Sequence, residues 1–305
     1  MSPVSFLELD LNRAQIIVFN VFAFLGVFSI LLVLVPALLS SRIKRSRSWF
    51  GVLATWMLYS ATYLLLVGRQ LNPEPPYGLC ILQAALVYAT TPMCSVATTC
   101  FSIDFFLQLS TVLYKGRRID HRVTNLLFLF PWALGAMVFM EALLVVHDAS
   151  LVKPNQFYCH IDSSVPTITN LVLFFASIFV IIPFHVYTGL ILHRNWTIFK
   201  QICHTNARIA VWTTIKLSIF TLVVVLAVIL SSVLTARVDS GEDVTSEWRI
   251  AVITLPTFSA VCLGFQQDIL NTWWFWIKRE PTPPSVPPKA VNLHQLQKGS
   301  MVSIV

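Results

Sequence analysis

The residues in this sequence that could do chemistry are few, and their setting is unusual. Asp104 stands in "CFSIDFFLQLS", Cys100 to Ser110, inside a largely apolar run from Ile81 to Leu113. A carboxylate in such a run serves as a catalytic acid, a metal ligand or one half of a charge pair. The first two uses need company that the sequence does not supply. HExxH, GxSxG and glycine-rich phosphate loops are absent, and no His/Asp/Glu group falls at metal-ligand spacing in the apolar runs. The last apolar block, 245–265, has no lysine to form a retinal Schiff base, which excludes a light-driven pump. The expectation is a protein that is not an enzyme and uses no cofactor and no metal, with Asp104 in a charge pair.

The elements that must position Asp104 follow from composition. Of 305 residues, 56% are hydrophobic and only 11% charged, against about 25% charged in a soluble domain. Mean hydropathy is +0.73. The apolar residues gather into seven blocks, Ala14–Leu39, Trp49–Gly68, Leu79–Val112, Thr124–Val146, Thr167–Leu192, Ala210–Thr235 and Thr245–Phe265. Each approaches or exceeds the ~20 residues that cross the hydrocarbon of a bilayer, and lipid forces such blocks to be helices. The expected fold is therefore an all-α membrane protein, a seven-transmembrane helix bundle. The first block is too long for a signal-peptide core, and its flank "MSPVSFLELDLNR" sets Glu8 and Asp10 against Arg13 alone.

Loop charge gives the orientation. Thirteen Lys and Arg flank one set of helix ends, including Arg42, Lys44, Arg45, Arg47, Lys115, Arg117, Arg118 and Arg122, against five on the other. The positive-inside rule then puts the N-terminus outside and the C-terminus in the cytoplasm. The net charge of +7 is topology and implies no nucleic acid. The expected organisation is an extracellular N-terminus (1–13), the bundle (14–265), an amphipathic inner-leaflet helix (266–279) and a disordered cytoplasmic tail (280–305). The helix 266–279 is read from "FQQDILNTWWFWIKR", whose tryptophans suit the headgroup zone; simple continuation of the seventh span is the alternative. The tail opens "EPTPPSVPP", which favours an extended path.

On this topology Cys80 and Cys159 are the cysteines on the oxidising side, so they are expected to form a disulfide that pins the loop 146–166 over the bundle mouth. The alternative is two unrelated thiols. Asp104 lies 24 residues beyond Cys80, ~36 Å along a helix and so near the inner boundary. Lys216 and Arg208 on the sixth helix, or Arg118, are its candidate partners in an inner latch; a solvated boundary carboxylate is the alternative. Gln83, Tyr88, Glu141, His160, Asp162, Trp248 and Arg249 are candidates to line an outer ligand pocket. Each alone also suits packing.

Seven spans, an outer Cys80–Cys159 bridge, short basic inner loops and an amphipathic segment after the last span together resemble G-protein-coupled receptors. "FAFLG" (Phe22–Gly26), "LNPEPPYGLC" (Leu71–Cys80) and "GFQQDILNT" (Gly264–Thr272) are similar to segments of fungal a-factor-type mating-pheromone receptors and their seven-helix relatives. Rhodopsin-like receptors carry an arginine after the acid at the position of Phe105. The resemblance implies a plasma-membrane receptor with an extracellular ligand and a heterotrimeric G protein as its partner. A transporter or channel, and a non-signalling membrane scaffold, are the alternative readings.

Overall fold

Backbone polar groups in lipid must find partners within the chain, and the apolar blocks are helical over most of their described residues. The computed structural model describes residues 3–40, 43, 45–70, 75–113, 120–146, 151–155, 157–197, 215–226, 247–264, 269–270 and 272–274, with backbone alone at 3–12, 112–113 and 247–249. In chain order the elements are α1 (Pro3–Leu39), α2 (Arg47–Leu64), α3 (Tyr77–Leu113), α4 (His121–Val145), β1 (Val152–Pro154), β2 (Cys159–Ile161) and α5 (Ser164–Arg194). Then follow α6 (Ile215–Leu226), α7 (Glu247–Ile253), α8 (Leu255–Ser259) and a π-helical turn, Ala260–Gly264.

Four helices, α1, α3, α4 and α5, are long and apolar enough to cross a membrane. They mark the chain as a helical membrane protein. The second expected span, α2, is a helix of 18 residues, about 27 Å long. Its Ser48, Thr55, Ser60 and Thr62 are buried against neighbouring helices. Thr55 and Thr62 return their hydroxyl protons to the backbone carbonyls of Val52 and Tyr59. A helix surrounded by protein can carry such groups, which lowers its hydropathy without exposing them to lipid. The sixth and seventh blocks are helical over α6 and from α7 to the π turn.

Polar caps start the helices where short loops meet them. The Ser46 side chain accepts from Trp49 N at the start of α2, Asp120 from Arg122 N at α4, and Ser163 from Val165 N at α5. α3 is the hub, packing against α2, α4, α5 and both strands. α1 packs along α2, α7, α8 and the π turn.

Two interruptions of the backbone are repaired by tryptophan. Pro36 has no N–H, so the carbonyl four residues earlier, Leu32, loses its helical partner. Trp273 Nε1 donates to that carbonyl at 2.9 Å. In the π turn, Trp49 Nε1 donates to Leu263 O at 3.0 Å. These two bonds tie the C-terminal part of the bundle to α1 and α2. Gly264 closes the π turn against α1, where a Cβ would sit 2.3 Å from Val33 Cγ2. Beyond it Ile269 is buried and Trp274 exposed. The tail 280–305 lies outside the described residues.

Candidate functional site: a hairpin cap and a buried acid on one helix

The loop expected over the bundle mouth folds into a small antiparallel hairpin. Val152 pairs with Ile161, Lys153 with His160 and Pro154 with Cys159, and Asn155 N donates to Tyr158 O at 2.9 Å across its end. Side chains alternate along a strand, so Val152, Cys159 and Ile161 turn inward. They join Leu66, Cys80, Ala84, Ala85, Ala142 and Val146 in a buried cluster. Cys80 and Cys159 are bonded as a disulfide, with Cα atoms 5.4 Å apart. The expected pairing is therefore present. The hairpin was not legible, because three-residue strands that include Pro154 carry no clear period-2 signal.

Two of the expected pocket residues hold this hairpin down. Gln83 is fully buried; its Oε1 accepts from Cys159 N at 3.0 Å and its Nε2 donates to Thr62 O at 3.2 Å. One amide thus joins α2, α3 and β2. Tyr88 donates its hydroxyl to Ile161 O at 3.3 Å. A further bond comes from Gln70, whose Nε2 donates to Phe157 O at 3.0 Å. Gln70 was not singled out from sequence, since an amide beside a turn glycine (Gly68, φ +84°) has no distinguishing signal.

The remaining candidates are spread over the hairpin, α4 and α7. His160 is half-buried on β2. Asp162 is exposed and pairs with Lys153. The Lys153 ammonium holds its carboxyl below the ordinary aspartate value. Glu141 accepts a hydrogen bond from Thr169 Oγ1 at 2.6 Å, on the seam between α4 and α5. Trp248 and Arg249 lie on α7, and their side chains fall outside the described residues.

Below the hairpin the bundle interior is aromatic. Phe157 at the hairpin end is fully buried and stacks on Phe19 with ring centroids 4.9 Å apart. Phe19 meets Tyr63, Tyr63 meets Tyr59, Tyr59 meets Trp56, and Trp56 meets Phe220 of α6, at centroid distances from 5.1 to 5.8 Å. Edge-on contacts of this kind suit the ring quadrupoles. The hairpin is therefore in packing contact with α1, α2 and α6 through one column of rings.

At the far end of α3 lies Asp104, only 1% exposed. Ser48 Oγ of α2 donates to its Oδ2, and Gln108 Nε2, one turn along α3, donates to the same oxygen at 2.9 Å. Its Oδ1 is buried and accepts no hydrogen bond among the described residues. The described partner of Asp104 across helices is thus on α2. Ser48 is buried and faces the acid from the first turn of α2. Of the cations expected beside it, Lys216 lies on α6 near Cys262, while Arg208 and Arg118 lie outside the described residues. A hydroxyl partner was missed because a serine next to an N-cap serine looks like a second cap.

A second polar link crosses the bundle at the level of α5 and α6. His185 Nε2 and Thr221 Oγ1 are 2.9 Å apart, and Ser218 Oγ lies 3.4 Å from His185 Nδ1. No group of three or more His, Cys, Asp or Glu arranged for a metal occurs among the described residues. No protein-family model matches the chain, and no curated protein matches it.

Proposed function

We propose that the chain is an integral membrane receptor-like protein of the plasma membrane, which takes an extracellular ligand and signals through a heterotrimeric G protein. The observation that carries this reading is that one helix, α3, holds both a disulfide-fastened cap and a buried acid. Cys80 lies at one end of it, and Asp104, bonded to α2, lies ~36 Å away along the helix. A ligand that displaces the hairpin moves Gln83 and Tyr88 with it, and α3 carries that shift to the Asp104–Ser48 contact. Ligand action then requires only that one arrangement of the bundle bind it better than the other. The resemblance of the chain's layout to fungal pheromone receptors supports the same reading.

A transporter needs a polar path through the bilayer centre. The ring column from Phe157 to Phe220 fills that path with packed apolar surface among the described residues, which favours the receptor. Nucleotide exchange by a purified heterotrimeric G protein, measured with the full chain in nanodiscs and with cell extracts as ligand source, tests the proposal. Faster exchange with an extract, abolished by reducing the hairpin disulfide, is the expected result. Exchange that never rises above the empty-nanodisc rate sinks the signalling reading and leaves a scaffold.

A further inference from the structure

Glu141 has no role in the cap or in the inner contact, and its surroundings are at odds with its charge. It is the sole carboxylate in α4. Met137, Met140, Leu144 and Val145 surround it on the same helical face, together with Ala136, and line an open groove of about 590 Å³. Met137, Met140 and Leu144 are 61%, 55% and 74% exposed, so this face looks outward from the bundle. Glu141 lies four residues from the end of α4, ~6 Å down the helix, on the side where the hairpin sits. One carboxylate oxygen takes the Thr169 hydroxyl; among the described residues nothing donates to the other.

A carboxylate facing a bilayer is costly unless it meets a partner. Among the described residues the protein side of this seam supplies only a neutral hydroxyl. The exposed apolar side chains on its other side suit the hydrocarbon of a bilayer. We propose that this groove is a binding site for a membrane phospholipid with a primary ammonium headgroup, of the phosphoethanolamine type. Its N–H donors meet the open oxygen of Glu141 and one acyl chain lies along Met137 and Met140. Charge complementarity selects the occupant: a cationic N–H donor fits, an anionic headgroup is repelled, and a quaternary choline has no hydrogen to donate. The methionines suit the chain end, because their unbranched side chains adapt to a ligand without fixed shape. The site is independent of any signalling by the bundle.

The test is native mass spectrometry of the full chain released from nanodiscs. The probes are phosphatidylethanolamine, its N-monomethyl and N,N-dimethyl forms, phosphatidylcholine and phosphatidylglycerol, all with the same acyl chains. Retention of the ethanolamine lipid is expected to exceed that of the choline lipid by roughly five- to tenfold, the gain from one charge-assisted hydrogen bond. Glu141→Gln should bring the ratio close to one, and Met140→Trp, which fills the groove, should lower retention of both lipids. Equal retention of the ethanolamine and choline lipids by the wild-type chain overturns the proposal, as does an undiminished preference in a folded Glu141→Gln. The methylation series needs only the wild-type protein, so the test stands even if that variant does not fold; a step at loss of the last N–H is the expected pattern.

Discussion

Asp104 shows how a single buried charge is kept in an apolar helix. Two neutral donors, Ser48 and Gln108, converge on one of its oxygens. Hydrogen bonds to a charged group contribute more than neutral ones, so Ser48→Ala should destabilise the purified protein by roughly 1–3 kcal/mol. Asp104→Asn also disturbs the site, because the new amide brings a donor towards Gln108. Thermal unfolding of the two single variants and the double variant should give a total well below the sum of the singles. Strict additivity would mean that the Ser48 contact contributes nothing. In a signalling assay either variant should raise basal exchange, since each loosens α2 from α3. The acid was legible in the sequence as an exception to its surroundings. Its serine partner was not, because hydroxyls in helices ordinarily bond their own backbone, as Thr98 and Ser102 do here.

At the scale of elements, the cap and the π turn hold because of close, specific contacts. The hairpin has only three residues in each strand and would not persist alone. Its bond to α3 closes a long loop, and losing such a disulfide typically costs ~2–5 kcal/mol. Cys80→Ser and Cys159→Ser should therefore reduce surface expression equally, and the double variant should add little. Unequal single losses that sum in the double would separate the two residues. The π turn depends on a missing side chain. Gly264→Ala drives a methyl into Val33, and overpacking of this kind costs about 1–3 kcal/mol. Val33→Ala in the same chain should recover most of that loss in thermal unfolding. No recovery would place the clash elsewhere.

For the whole molecule, loop charge sets which side each end faces. Basic residues cluster on the loops that follow α1, α3 and α5. A tag at Val305 should therefore be reached by antibody only after the membrane is permeabilised, and Asn195 should carry no glycan although Asn195-Trp196-Thr197 matches the acceptor sequence. Asn195 caps the end of α5, with Nδ2 donating to Ile191 O at 3.0 Å, on the side opposite the hairpin. A glycan at Asn195 would reverse the orientation and move the disulfide to the reducing side.

By itself the sequence determined the medium and the long helices. Apolar blocks such as Ala14–Leu39 and Thr167–Leu192 have no stable form in lipid except a helix, so length and hydropathy were enough. It also picked out Cys80 and Cys159, since few cysteines lie near the same helix ends. Tertiary structure decided what the polar residues do. Gln83, expected to face a ligand, is a buried clamp between Thr62 and Cys159, and Glu141, expected in the same pocket, sits half-buried on the seam between α4 and α5, where it accepts from Thr169. Both sit on helices of period 3.6, and within a bundle the sequence does not say which face meets a neighbour. That choice is made by packing between distant segments: α3 against the hairpin, and α4 against α5.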